Sequence, residues 1–154
     1  MTTVTVDTQI AAPLERVFEV FTDLEHVAER VSNIKAIEVL TTGRFALGTR
    51  WSERRMVLGQ SDSAEMEVTA FERNRTYTIT HHKAGTRIDT VFTFERGKDG
   101  TTVRIEFALE GHGLPPGLLA PLAWASAGTV RDVISRDLAD LKESLEKQPV
   151  SQRG

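Results

Sequence analysis

TYTITHHKAGTRIDTVFTFERGKDGTTVRIEFALE, the run from Thr76 to Glu110, decides the fold class. It passes three times through an alternation of apolar and polar residues, and Lys83-Ala84-Gly85 and Gly97-Lys98-Asp99-Gly100 separate the passes. Period-2 alternation puts every second side chain on the same face, so Thr76 to His82, Arg87 to Phe94 and Thr102 to Glu110 read as strands with one buried side. Connections this short join antiparallel neighbours. Ile88, Phe92, Phe94, Val103, Ile105, Phe107 and Leu109 form the expected core face.

Upstream, the same logic gives strands from Ile34 to Leu40, Thr49 to Leu58 and Ala64 to Phe71, with turns at Thr42-Gly43-Arg44, Gly59-Gln60-Ser61-Asp62 and Arg73-Asn74-Arg75. A first strand alternates Val4, Val6, Thr8 and Ile10 with Thr5, Asp7 and Gln9. Pro13 suits the first turn of a helix, and Leu14, Val17, Phe18 and Phe21 follow at helical spacing. A second short helix carries Leu24, Val27, Ala28 and Val31, with Asp23 placed to cap its free amides. Downstream the period changes. Val130, Ile134, Leu138, Leu141 and Leu145 mark one face of a long helix, drawn from about Leu118 to Lys147, which at 1.5 Å per residue spans about 45 Å. The tail from Gln148 reads as a frayed end.

The expected class is therefore α+β: a seven-stranded curved antiparallel sheet wrapped around a long C-terminal helix, two short helices between strands 1 and 2, and one domain over residues 1–147. A twisted sheet and one straight helix leave volume between them, and such pockets are mostly apolar with a few polar groups. Bulky inward residues such as Trp51, Phe92 and Phe107 are equally able to fill that volume.

Composition narrows the function classes. The 154 residues are 40% hydrophobic and 27% charged, a globular balance, and 19 basic against 22 acidic residues give a net charge of -3 with no basic stripe. Nucleic acid is not an expected partner. With no cysteine, disulfide scaffolds, thiolate metal sites and cysteine nucleophiles are all excluded. No stretch approaches 18 apolar residues and the N-terminus lacks a signal pattern, so neither membrane insertion nor export is expected and a cytoplasmic location is the default. Motifs for zinc proteases, serine hydrolases and calcium loops are missing. Gly111-His112-Gly113-Leu114-Pro115-Pro116-Gly117 has the wrong spacing for a phosphate loop, and its prolines remove amide donors. Neither a cofactor nor a metal is expected.

Candidate site residues come from charge in unexpected places. On Thr49 to Leu58 one face carries Trp51, Glu53, Arg55 and Val57, the other Arg50, Ser52, Arg54, Met56 and Leu58. Facing the second set inward would bury like charges, whereas Glu53 and Arg55 neutralise each other in part, so Trp51, Glu53 and Arg55 are assigned to the cavity. They either hydrogen-bond a ligand or belong to an edge strand whose long side chains reach solvent. Tyr77, Ile79 and His81 share a face; His81 is either a proton carrier near neutral pH or a partly exposed residue before a turn. His82 points the other way, so the two histidines cannot clamp one metal. Thr90 points its hydroxyl at ligand or at a backbone carbonyl. Phe92 belongs with the ligand-contacting set, and Trp124 either covers the cavity mouth or lies exposed.

The order of elements, with Ile10-Ala11-Ala12-Pro13 leading into Val17-Phe18, Gly48-Thr49-Arg50-Trp51-Ser52-Glu53, Glu67-Val68-Thr69-Ala70-Phe71-Glu72 and Asp137-Leu138-Ala139-Asp140-Leu141-Lys142, resembles the START/Bet v 1-like (SRPBCC) superfamily over residues 3 to 147. In particular it is similar to the superfamily's bacterial polyketide cyclase/dehydrase and lipid-transport branch. The resemblance implies a helix-grip fold and an internal ligand. It leaves function open, because members include carriers, sensors, cyclases and co-chaperones. A binding protein for a small hydrophobic or aromatic molecule, monomer or homodimer, is the expectation; a cyclase or dehydrase using His81 or Glu53, and a protein-binding co-chaperone-like module, are the alternatives.

Overall fold

The computed structural model describes residues 2–57, 59–83, 85–110 and 127–151. Seven strands, β1 (Thr2–Ile10), β2 (Ile34–Val39), β3 (Arg50–Val57), β4 (Gln60–Glu72), β5 (Thr76–Lys83), β6 (Thr86–Gly97) and β7 (Gly100–Glu110), form one antiparallel sheet in the order β1-β7-β6-β5-β4-β3-β2. Consecutive strands from β2 to β7 are hairpin neighbours. β1 sits at the opposite edge from β2, so the chain between them has to cross the sheet. It does so through α1 (Leu14–Phe21) and α2 (Val27–Arg30), which close one side of the concave face.

Three hairpin connections are shorter than the sequence suggests. Val57 pairs with Gln60, Lys83 with Thr86 and Gly97 with Gly100, leaving two residues in each loop. Gly59 and Gly85 take φ of 78° and 77°, a region closed to most side chains, and this lets the chain reverse at once. Gln60, Ser61 and Asp62, expected in a turn, therefore belong to a 13-residue β4. Register shifts at Ile34/Ala36 and Val68/Ala70 interrupt the ladders, and irregularities of this kind bend and twist a sheet locally.

The α1 helix presents Leu14, Val17, Phe18 and Phe21 inward. Phe18 lies between Phe94, Tyr77 and Phe71, with ring centroids 5.0, 5.8 and 5.9 Å away. The second helix is only four residues long, and its N-cap residue, His26, makes no side-chain capping hydrogen bond. Asp23 does not cap it; its carboxylate instead meets His26 Nδ1 at 2.8 Å and Arg30 Nη1 at 3.0 Å.

The long helix α3 is described from Ala127 to Ser151 and continues past Lys147, where the sequence reading ends it. Residues 118–126, assigned to its first turns, lie outside the described residues. Val130, Ile134, Leu138, Leu141 and Leu145 are all buried. Polar contacts fix its azimuth: Arg131 donates to Thr5 O at 2.9 Å, Ala11 N donates to Glu146 Oε2 at 2.9 Å, and Asp140 Oδ2 accepts from both the amide and hydroxyl of Ser32 at 2.9 Å. The helix is thus tied to β1 on one side and to the start of β2 on the other.

Candidate functional site

Between the concave sheet face and α3 lies a cavity of about 190 Å³. Its walls follow from strand alternation. Trp51, Glu53 and Arg55 project into it from β3, Tyr77, Ile79 and His81 from β5, Thr90 and Phe92 from β6, and Ile134, Asp137 and Leu138 from α3. Most of the lining is apolar. Tyr77 stacks on Phe92 at 4.6 Å with 18° between planes, and Phe45, from the loop before β3, meets Tyr77 edge-on at 5.0 Å.

The β3 residues resolve the two readings of their strand. β3 is not at the edge, because β2 pairs along its outer side, and Trp51 and Glu53 are buried at 2% and 8% exposure while Arg50 and Arg54 stay on the exposed face. Trp51 Nε1 donates to Glu53 Oε1 at 3.2 Å, and Arg55 Nε donates to Glu53 Oε2 at 3.0 Å. Arg55 also donates through Nη1 to Asp137 Oδ2 at 3.1 Å. One guanidinium thus bridges two carboxylates, one from the sheet and one from the helix.

The charges respond to this enclosure. Burial disfavours the Arg55 cation, yet Asp137 and Glu53 together outweigh it and hold its pKa above the usual arginine value. For Asp137 burial wins: it pushes the carboxyl up to about 6, against the pull of Arg55 and with some help from Glu53 and Asp140. Asp137 Oδ1 is buried without a hydrogen-bond partner. His81 is half-buried, and desolvation lowers its pKa despite the nearby Glu53 and Asp62. The imidazole is accordingly neutral at pH 7, and its Nδ1 is also buried and unpartnered. Burial likewise raises the Tyr77 phenol, so it stays protonated. A cavity with one cation between two acids, a neutral imidazole and a phenol is equipped to hydrogen-bond a small ligand, and to accept a proton at one position.

Of the sequence-predicted site residues, Trp51, Glu53, Arg55, Tyr77, His81, Thr90 and Phe92 converge on this one space. Trp124 lies outside the described residues. His82 is exposed on the opposite face. Among the lining residues that sequence reasoning did not name as site residues are Asp62, Phe45 and Asp137. Asp62, expected in a turn, is opposite Arg55 in the ladder and is paired with Lys83. Phe45 comes from a loop without periodicity. Asp137 was legible: it is seven residues after Val130 and four before Leu141, an acid inside the apolar stripe of the helix.

Among the described residues one group has metal-ligand spacing, Asp23, Glu25 and His26, with ligand atoms within 4.8 Å of one another. It is largely exposed, and the Asp23 carboxylate is already engaged by His26 and Arg30.

The sequence profile of the polyketide cyclase/dehydrase and lipid transport family matches residues 1–146. The chain belongs to this family. Among solved structures it is similar to a protein from Thermus thermophilus (20% identity, TM-score 0.75), to major latex-like protein 151 of Panax ginseng (14%, 0.76) and to a START superfamily protein of Mycobacterium smegmatis (15%, 0.74). Each alignment covers 94% of this chain and 97% of the other. These likenesses establish the helix-grip fold for this family member. No curated protein matches the chain. Among the described residues no helix is long and apolar enough to cross a membrane.

Proposed function

We propose that this family member binds a small hydrophobic or aromatic molecule in the cavity between sheet and C-terminal helix. The observation that carries the reading is the convergence of a charged, hydrogen-bonded trio, Glu53, Arg55 and Asp137, with an aromatic wall in an otherwise apolar space. Drawing one buried and two half-buried ionisable groups out of water is costly for a core that only needs to pack, and apolar replacements would serve stability as well or better. Orientation of a ligand's polar end accounts for their presence. Trp51, Tyr77 and Phe92 supply flat contact area, while Glu53, Arg55, His81 and Thr90 fix the ligand's orientation.

Volume narrows the ligand. A cavity of about 150 Å³ accommodates a benzene-sized molecule, so 190 Å³ suits a single substituted ring more readily than a long acyl chain. A second reading, proton-transfer catalysis on a cyclising or dehydrating substrate, has its own support: a neutral His81 with a free Nδ1 is a competent base.

Native mass spectrometry of the purified protein, followed by thermal-shift screening against small aromatics, fatty acids, sterols and flavonoids, tests the binding reading. A retained small molecule, or a rise in Tm that grows with ligand concentration, supports it. No bound species and no shift across the panel refutes it. Turnover that collapses in His81→Phe while binding persists would favour the catalytic reading.

A further inference from the structure

The trio of Glu53, Arg55 and Asp137 carries two acids and one base. Arg55 is already shared between Glu53 Oε2 and Asp137 Oδ2, and the second Asp137 oxygen, Oδ1, is buried with no partner. His81, which lines the same cavity, also has a buried Nδ1 without a partner. Two orphaned polar atoms beside a mostly apolar cavity cost free energy, and a turn of either side chain toward the cavity lets a ligand recover it. Which ligand group can do so follows from the charges. An incoming carboxylate would be a third anion around a guanidinium that both resident acids already use. An ammonium would have to give up its hydration shell in a space walled by Tyr77, Phe92 and Ile134, at a far higher desolvation penalty than a neutral group. A hydroxyl adds no charge and is both donor and acceptor, so it meets either protonation state of Asp137 and either tautomer of His81.

Resting on the binding function proposed above, we infer that the site selects an uncharged aromatic ligand bearing a hydroxyl group, a phenol or aryl alcohol, with Asp137 Oδ1 as the acceptor that reads it. Asp137 is thereby a specificity-determining residue, and the ring lies against Tyr77 and Phe92.

The test compares three probes built on one propyl-substituted ring, propylbenzene, 4-propylphenol and 4-propylbenzoate, titrated into the isotope-labelled 154-residue chain and followed by amide chemical shifts. The phenol is expected to bind at least tenfold tighter than propylbenzene, and the benzoate weaker than both. In Asp137→Ala the phenol's advantage over propylbenzene falls below threefold, and Asp137→Asn, which keeps an acceptor oxygen and the side-chain shape, retains part of it. A benzoate that binds as tightly as the phenol overturns the inference, as does a tenfold phenol preference that survives Asp137→Ala. Should the alanine variant fail to fold, the wild-type ranking and Asp137→Asn still decide. If propylbenzene binds but the phenol gains nothing, the inference fails and the cavity reading stands. If none of the three binds, both fail.

Discussion

Replacing Asp137 by asparagine isolates the electrostatic cost built into the cavity. The Asp137 carboxyl rises from its usual 3.8 to about 6 because burial outweighs its pairing with Arg55. A folded-state pKa above the unfolded value means that the folded protein holds its proton more tightly, so this group's stabilisation is complete below about pH 4 and is lost as pH rises through about 6. The full increase is worth about 3 kcal/mol at about 1.4 kcal/mol per pH unit, and about 1.4 kcal/mol of it falls between pH 5 and pH 8. His81, whose pKa burial lowers, has the opposite dependence and loses stability as pH falls. Both proteins share that term, which therefore cancels in their difference. Urea unfolding of wild type and Asp137→Asn at pH 5 and pH 8 reads the effect. The stability of wild type relative to the variant should increase by about 1.4 kcal/mol on going from pH 8 to pH 5, which at an m-value near 2 kcal/mol/M is a midpoint difference of about 0.7 M. A difference independent of pH, or one that widens toward pH 8, refutes the assignment of Asp137 as a half-buried acid with a raised pKa.

Arg55→Met leaves Glu53 and Asp137 facing each other without a counter-charge and should cost about 3–5 kcal/mol in urea unfolding at pH 7.5, whereas the triple change Glu53→Gln, Arg55→Met and Asp137→Asn should cost clearly less. Equal losses would show that packing, not charge, dominates at this position. Gly100→Ala should destabilise strongly, because an added Cβ would sit 2.1 Å from Ile10 O at a φ of 151°; Gly43→Ala, with a φ of 91° and open space around it, should cost only about 1 kcal/mol by thermal unfolding. Phe18→Ala removes the ring at the meeting point of Phe71, Tyr77 and Phe94 and should cost about 3–5 kcal/mol, with loss of near-ultraviolet circular dichroism from Tyr77 as the second readout.

How far the sequence reached depends on the range of the signal. Strand and helix identity was legible because alternation and the 3.6-residue stripe are local patterns: Ile88, Phe94, Val103 and Ile105 are buried as read, and so are Val130, Ile134 and Leu138. The inward face of β3 was legible from charge alone, since burying Arg50 and Arg54 together is the costlier choice. Strand ends were less legible, as at β4, where one glycine at positive φ shortened the turn and carried Asp62 into the sheet.

What the sequence by itself determined is therefore the set of elements, their order and the side of each strand that faces the core, all of which follow from residues within a few positions of one another. What only the tertiary structure decided is which strand charge the inward helix acid meets. Arg55 and Asp137 are 82 positions apart, and they meet at 3.1 Å because the tethers from Arg131, Asp140 and Glu146 set the rotation of α3 over the sheet. The apolar stripe turns Asp137 inward, but no local pattern says which strand residue it meets; that is set by the packing of helix on sheet. It is also what buries Asp137 Oδ1 without a partner, an excess of acid over base that appears only when strand and helix are packed together.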